Sequence, residues 1–181
     1  MNYNSKYDFH SKRLGFRNWI DSDIKKMVEI NSDSEVMRFF PATVTFEQTQ
    51  NFIQRMQKMY KERNYCYFAV DELETGNFIG FIGLCYQDYE AEFTPCTDIG
   101  WRLDKKYWNK GYATEGAKRC LEYAFDVLEL EKIISTAPMI NKPSIAVMEK
   151  IGMQKILEFK HSKLKDFPKI ENCVCYEINR K

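Results

Sequence analysis

The chain has 181 residues, 44% of them hydrophobic and 29% charged, which fits one domain that buries a core without a disulfide or metal staple. Its 27 basic and 26 acidic residues leave a net charge of +1, excluding a composition-wide electrostatic grip on nucleic acid or an anionic membrane. Only 8 glycines and 5 prolines are present, so collagen-like and low-complexity classes are excluded as well.

Residues 1–11 are polar and read as a flexible N-terminal tail, with one domain over 12–181. The start lacks the apolar stretch of a secretory signal, and the longest apolar run, Phe78 to Tyr86, is far short of a membrane span. Cys66, Cys85, Cys96, Cys120, Cys173 and Cys175 form no C-x-x-C, and only His10 and His161 could join them as zinc ligands. No metal site is expected, and the cysteines read as reduced core residues of a cytoplasmic protein.

Leu14–Arg17 is the first strand candidate. Asp21 is a candidate N-cap for a helix with Ile24, Met27 and Val28 on one face. Thr45-x-x-Gln48 has the form of a capping box and precedes a helical stripe of Phe52, Ile53, Met56, Met59 and Tyr60. Tyr65–Val70 and Asn77–Tyr86 read as strands around a turn at Glu74–Asn77. A polar, acidic loop follows over Gln87–Cys96. Thr97–Leu103 alternates, with Ile99, Trp101 and Leu103 on one face and Asp98, Gly100 and Arg102 on the other.

Gly111 then opens a long helix striped by Ala113, Ala117, Cys120, Leu121, Ala124, Phe125 and Leu128. Lys132–Thr136 is a strand. Asn141-Lys142-Pro143-Ser144 leads into a helix that Gly152 ends. Strands near Met153–Lys160 and Asn172–Ile178 close the chain. A strand–helix–strand unit between hairpins predicts a three-layer α/β/α arrangement of the α+β class. Its sheet is mixed, mostly antiparallel and seven-stranded, with a central parallel pair.

The most informative stretch runs from Asp98 to Gly116: a strand, a polar loop and a glycine at a helix start. Unpartnered N–H groups and the helix dipole there suit a phosphate or pyrophosphate. Gly111-x-Ala113-x-x-Gly116 approaches a dinucleotide fingerprint, but seven polar or aromatic residues separate it from the strand, and Glu131 lies before the next strand rather than after it. Gly111 also reads simply as a helix-start glycine.

A third reading rests on two motifs together. Trp108-Asn109-Lys110-Gly111-Tyr112-Ala113 resembles the phosphate loop of the GNAT acyl-CoA N-acyltransferases, with Trp108 in place of the usual Arg or Gln. Asn141-x-x-Ser144-x-x-x-Met148-Glu149-Lys150-Ile151-Gly152-Met153 resembles that family's second signature. The likeness covers about residues 12–178 and is nearest the branch typified by RimJ and RimL, which acetylate ribosomal-protein N-termini.

The resemblance implies the GNAT fold and direct acetyl transfer from acetyl-CoA to a primary amine in a ternary complex. The acceptor would be a protein N-terminus or a small molecule, and many relatives are homodimers. It implies that Asn109, Lys110, Gly111, Tyr112, Ala113 and Thr114 hold the pyrophosphate. The strand backbone of Trp101, Arg102 and Leu103 would take the pantetheine arm, and Asn141 would bond the same arm. Asp98 matches the position of a glutamate base; being one methylene shorter, it suits a water relay.

The tyrosine acid found in many relatives is replaced by Met148, which leaves Ser144 to hydrogen-bond the leaving thiolate. Glu92 and His161 are candidate acceptor contacts, and the acidic loop at 88–92 would favour a cationic acceptor. Plainer readings stand beside these: Asp98 as a strand carboxylate paired with Arg102, Asn141 as a turn residue, Ser144 as a helix-start serine, His161 as incidental. The missing tyrosine and shortened base also leave open a non-catalytic acyl-CoA-binding or regulatory module.

Overall fold

The computed structural model describes residues 6–181. Its strands are β1 (Phe9–His10), β2 (Leu14–Arg17), β3 (Tyr67–Glu72), β4 (Phe78–Gln87), β5 (Cys96–Leu103), β6 (Lys132–Pro138), β7 (Gln154–Lys160) and β8 (Asn172–Asn179). The helices are α1 (Asp23–Ser32), α2 (Phe46–Arg63), α3 (Tyr112–Glu122) and α4 (Lys142–Lys150). One mixed sheet runs β1-β2-β3-β4-β5-β6-β8-β7. Its only parallel neighbours among the described residues are β5 and β6, with α3 as the crossover between them.

The sheet has eight strands where the sequence pattern gives seven. The extra strand is β1, inside the stretch assigned to a flexible tail. Phe9 stacks 4.6 Å from Phe16 and 4.4 Å from the Tyr123 ring, which buries it. Two residues are too few to display a period-two alternation, so the polar neighbours hid this strand.

Helices cover both faces of the sheet. Phe81 faces α2, with its ring 5.3 Å from Phe52. The next residue, Ile82, points the opposite way, close against Gly116 of α3. At α2 the capping box is complete: the Gln48 N–H donates to Thr45 Oγ1 at 3.2 Å, and the Thr45 N–H donates to Gln48 Oε1 at 2.9 Å. At α1 the expected cap differs. Ser22, not Asp21, stands at the N-cap and makes no side-chain bond. Asp23, inside the first turn, accepts from the Ile20 N–H at 2.9 Å instead.

Asp23 takes that place because it belongs to a buried charge cluster. The Arg17 guanidinium donates to Asp23 at 2.7 and 2.9 Å and to Asp71 at 2.8 and 2.9 Å. The cluster thereby ties β2 to α1 and β3. Lys6 adds a contact of 2.6 Å to Asp71. All six cysteines are unpaired thiols. Cys96 is half-buried and the rest are buried. Burial pushes every thiol up, Cys96 and Cys173 to about 11 and Cys175 to about 12.

Burial alone would raise the Asp71 carboxyl, but its bonds to Arg17 and Lys6 outweigh that and hold it below the ordinary value. A depressed carboxyl contributes stability above its unfolded value of about 3.9 and loses it as pH falls through the lower folded value. The cluster is therefore intact at neutral pH and weakens below about pH 4. Arg17→Met leaves Asp23 without the guanidinium and Asp71 with Lys6 alone, and urea denaturation at pH 7 should show a loss of about 3–5 kcal/mol, shrinking as the pH approaches 3.

Candidate functional site

A cleft of about 690 Å³ opens on the α1/α2 face of the sheet. Its floor is β5, whose parallel pairing with β6 consists of a single register pair, Asp98 opposite Ile134. One residue further on, the Ser135 hydroxyl donates to the Ile99 carbonyl at 2.9 Å. Past that bond the strands part, so the β6-facing edge of Gly100–Leu103 has no strand partner.

Asp98 sits where the strands part. Tyr67 Oη donates to its Oδ1 at 2.7 Å and Gln87 Nε2 to its Oδ2 at 3.1 Å. Burial raises the carboxyl to about 7, against the opposing effect of those two bonds. Tyr67 reaches Asp98 by lying across Gly100, where a Cβ would stand 3.1 Å from the Tyr67 ring. Burial, and then the Asp98 charge, push the Tyr67 phenol well up, so it remains a donor. The pairing of Asp98 with Arg102 is not formed. Four residues along a strand span roughly 13 Å, and Arg102 Nη1 instead donates to Asn31 Oδ1 at 2.7 Å.

The cleft brings Asp98, Trp101, Arg102, Asn141 and Ser144 together. Asn141 caps α4, its side-chain oxygen accepting from the Ser144 N–H at 3.3 Å. The Ser144 hydroxyl makes no bond to the protein among the described residues and faces the cleft. Leu103 is buried, and its carbonyl accepts from Trp108 Nε1 at 2.9 Å.

The loop 109–114 lies past the end of β5 and does not line this cleft. Asn109 and Gly111 both adopt left-handed backbone, with φ of 59° and 78°, a conformation glycine takes without steric cost. As the N-cap of α3, Gly111 brings no side-chain bond, so the first N–H groups of an 11-residue helix stay uncapped by side chains. Ala113 and Thr114 are half-buried in that first turn, Lys110 lies exposed 5.2 Å over the Tyr107 ring, and the Tyr112 side chain turns away to bond Glu72 at 2.5 Å.

Glu92 and His161 are not among the cleft residues. Glu92 is exposed. The His161 ring stacks 4.5 Å from Tyr89 and accepts from the Lys163 N–H at 3.2 Å. Burial, and then Lys163, lower its pKa, which keeps it neutral at pH 7. The residues the sequence did not single out are Tyr67, Gln87, Asn31, Phe40 and Arg55. The first two come from strands paired across the sheet, and α1, α2 and the segment between them bring the others. No local motif marks any of them. Among the described residues no group of three His, Cys, Asp or Glu is placed to hold a metal ion, and no helix is long and apolar enough to cross a membrane.

A family model described as an acetyltransferase (GNAT) domain matches residues 13–154. An uncharacterized N-acetyltransferase of Bacillus subtilis, YnaD, is 36% identical over 146 residues, covering 80% of this chain and 81% of YnaD. The crystal structure of a GNAT-family acetyltransferase from Bacillus anthracis is similar with a TM-score of 0.77 at 32% identity, covering 94% of this chain and 96% of that one. A spermidine N-acetyltransferase from Vibrio cholerae, solved with CoA and spermine, shares the fold at a TM-score of 0.71 and 17% identity, over 93% of this chain and 96% of that one.

Removing the phenol that bonds Asp98 leaves its carboxylate with one donor fewer. In Tyr67→Phe, Asp98 should titrate above its present value of about 7. Carbon-13 NMR of the labelled carboxyl reads this directly, and an unchanged or lower value would contradict the assigned hydrogen bond.

Proposed function

Because the chain belongs to the GNAT acetyltransferase family, we propose that it moves an acetyl group from acetyl-CoA to a primary amine by direct transfer in a ternary complex. The observation that carries this reading is the Asp98 carboxyl, raised to about 7 and set where β5 and β6 part, in the same cleft as Asn141 and Ser144. A base poised near neutrality is what amine deprotonation asks for. The resemblance to the RimJ/RimL-like branch supports a protein N-terminus or a small-molecule amine as acceptor, and the unpaired cysteines suit a cytoplasmic setting.

The residues present fit acetyl-CoA. The uncapped start of α3 offers N–H groups to a pyrophosphate, and the unpartnered edge of β5 offers backbone groups to the pantetheine amides. Bound acetyl-CoA supplies the acetyl group as a thioester. Asn109–Thr114 hold its phosphates through their backbone, and the Gly100–Arg102 edge and Asn141 orient the arm. Fixed backbone donors need no reorganisation as charge develops, which is the efficient form of oxyanion stabilisation.

Asp98 removes a proton from the incoming amine through a water that its short side chain leaves room for. Tyr67 and Gln87 fix the carboxylate orientation. Ser144 turns its unengaged hydroxyl toward the sulfur and steadies the thiolate that departs. No cysteine is needed as a covalent carrier, and the buried, raised thiols are poor nucleophiles.

Isothermal titration with acetyl-CoA should give saturable one-site binding, and its absence at millimolar cofactor would end this reading. In Asp98→Asn, kcat/KM for the amine should drop roughly 10²–10⁴-fold, and the acidic limb of the wild-type profile near pH 7 should disappear. Ser144→Ala should lower kcat about 10- to 100-fold through loss of one bond to a charged group, with acetyl-CoA affinity nearly unchanged by calorimetry.

A further inference from the structure

Arg102 lines the same cleft with a guanidinium that no carboxylate of the described residues neutralises. Its Nη1 donates to Asn31 Oδ1 at 2.7 Å. Asn31 is itself buried and donates to Thr49 Oγ1 at 2.9 Å. The ring of Phe40 lies 4.2 Å from the Arg102 guanidinium carbon and that of Phe81 lies 5.5 Å from it. Arg102 Nε is buried without any hydrogen-bond partner, the one such side-chain atom among the described residues. Burial lowers the Arg102 pKa to about 10, which leaves it a cation at neutral pH.

A half-buried guanidinium held by one neutral amide and two aromatic faces is incomplete. Desolvating a charge is costly unless it is paired. Protein atoms cover Nε and Asn31 engages Nη1, so Nη2 is the nitrogen left to meet an anionic partner such as a carboxylate.

The rest of the lining points the same way. Its charged residues are Arg55, Asp98 and Arg102. Arg55 is exposed and has no ion pair among the described residues. The acidic residues at 88–92, which would have favoured a cationic acceptor, lie outside the lining. A polyamine entering this cleft would bring a second ammonium toward two arginines, with only Asp98 in compensation.

Resting on the acetyltransferase reading above, we propose that the acceptor is an amine bearing a carboxylate several bonds away, and that Arg102 binds that carboxylate through Nη2. Asp98 and Arg102 share one face of β5, about 13 Å apart at their Cα atoms. The two groups therefore meet opposite ends of an extended acceptor. The adjacent amine and carboxylate of a single α-amino acid do not span that distance. Arg55 draws the anionic end inward. Two sources share this chemistry: a free ω-amino acid, and a peptide with an acidic side chain near its N-terminus.

The test compares acceptors of matched length by CoA release: 6-aminohexanoate, 6-aminohexanamide and 1,6-diaminohexane, then the dipeptide amides Ala-Glu and Ala-Gln. In at least one series the carboxylate should be favoured over its amide roughly 10- to 100-fold in kcat/KM, with the diamine poorest. The series with the larger kcat/KM identifies the source. Arg102→Gln should bring the acid-to-amide ratio close to one, and Arg102→Lys should restore only part of it, because an ammonium keeps the charge but not the planar guanidinium that Asn31 orients.

Acetyl-CoA titration is run on every variant, so misfolding registers separately from lost preference. If acetyl-CoA binds and the wild type prefers amide or diamine, or turns over no carboxylate faster than its amide, the inference is overturned while the acetyltransferase reading stands. A preference that survives in a cofactor-binding Arg102→Gln overturns it equally. If the wild type binds no acetyl-CoA, both readings fall together.

Discussion

The parting of β5 from β6 governs everything functional in this molecule. Parallel strands ordinarily share an evenly spaced ladder of bonds, but here the ladder is one register pair at Asp98 and Ile134. A side-chain bond from Ser135 to the Ile99 carbonyl closes it off. Backbone polar groups left without partners in a covered sheet are costly, so an opening of this kind persists only where something else can occupy it.

Asp98 stands at the last paired position, and its raised pKa carries a cost. Since the folded value of about 7 lies above the unfolded value of about 3.9, folding favours the protonated form. The fold therefore loses stability as pH rises between those two values. Tyr67 and Gln87 limit that cost by donating to the carboxylate. The Arg17 cluster works in the opposite sense, its Asp71 carboxyl being held below the ordinary value by Arg17 and Lys6. One chain thus contains a structural carboxylate pushed down by cations and a functional one pushed up by burial, and surroundings rather than residue type set the difference.

Local features of the sequence read out well. The capping box at Thr45, the helix start at Gly111, the Asn141 cap before Pro143 and the alternation through β5 all declare themselves within a few residues. What stayed hidden depends on contacts distant in the chain. Tyr67 and Gln87 reach Asp98 only through the register of β3, β4 and β5. The β1 strand is too short to alternate and exists because Phe9 finds Phe16 and Tyr123. Arg102 is the most telling case. Sequence likeness assigns it a backbone role, but its guanidinium is drawn to Asn31 on α1, 71 residues away. The acidic loop and His161 looked suited to the acceptor because of their chemistry, and the packing of His161 on Tyr89 gives them another position.

The cysteines bear on how this protein meets electrophiles. A thiol reacts through its thiolate, and here burial both covers the sulfurs and holds them protonated at neutral pH. Cys96, half-buried at the start of β5 and raised to about 11, is the most accessible, yet it too is almost wholly thiol near pH 7. The six thiols are therefore poor targets for alkylating and oxidising agents. A small-molecule thiol liberated in its cleft would outcompete all six for a soft electrophile in the surrounding solution.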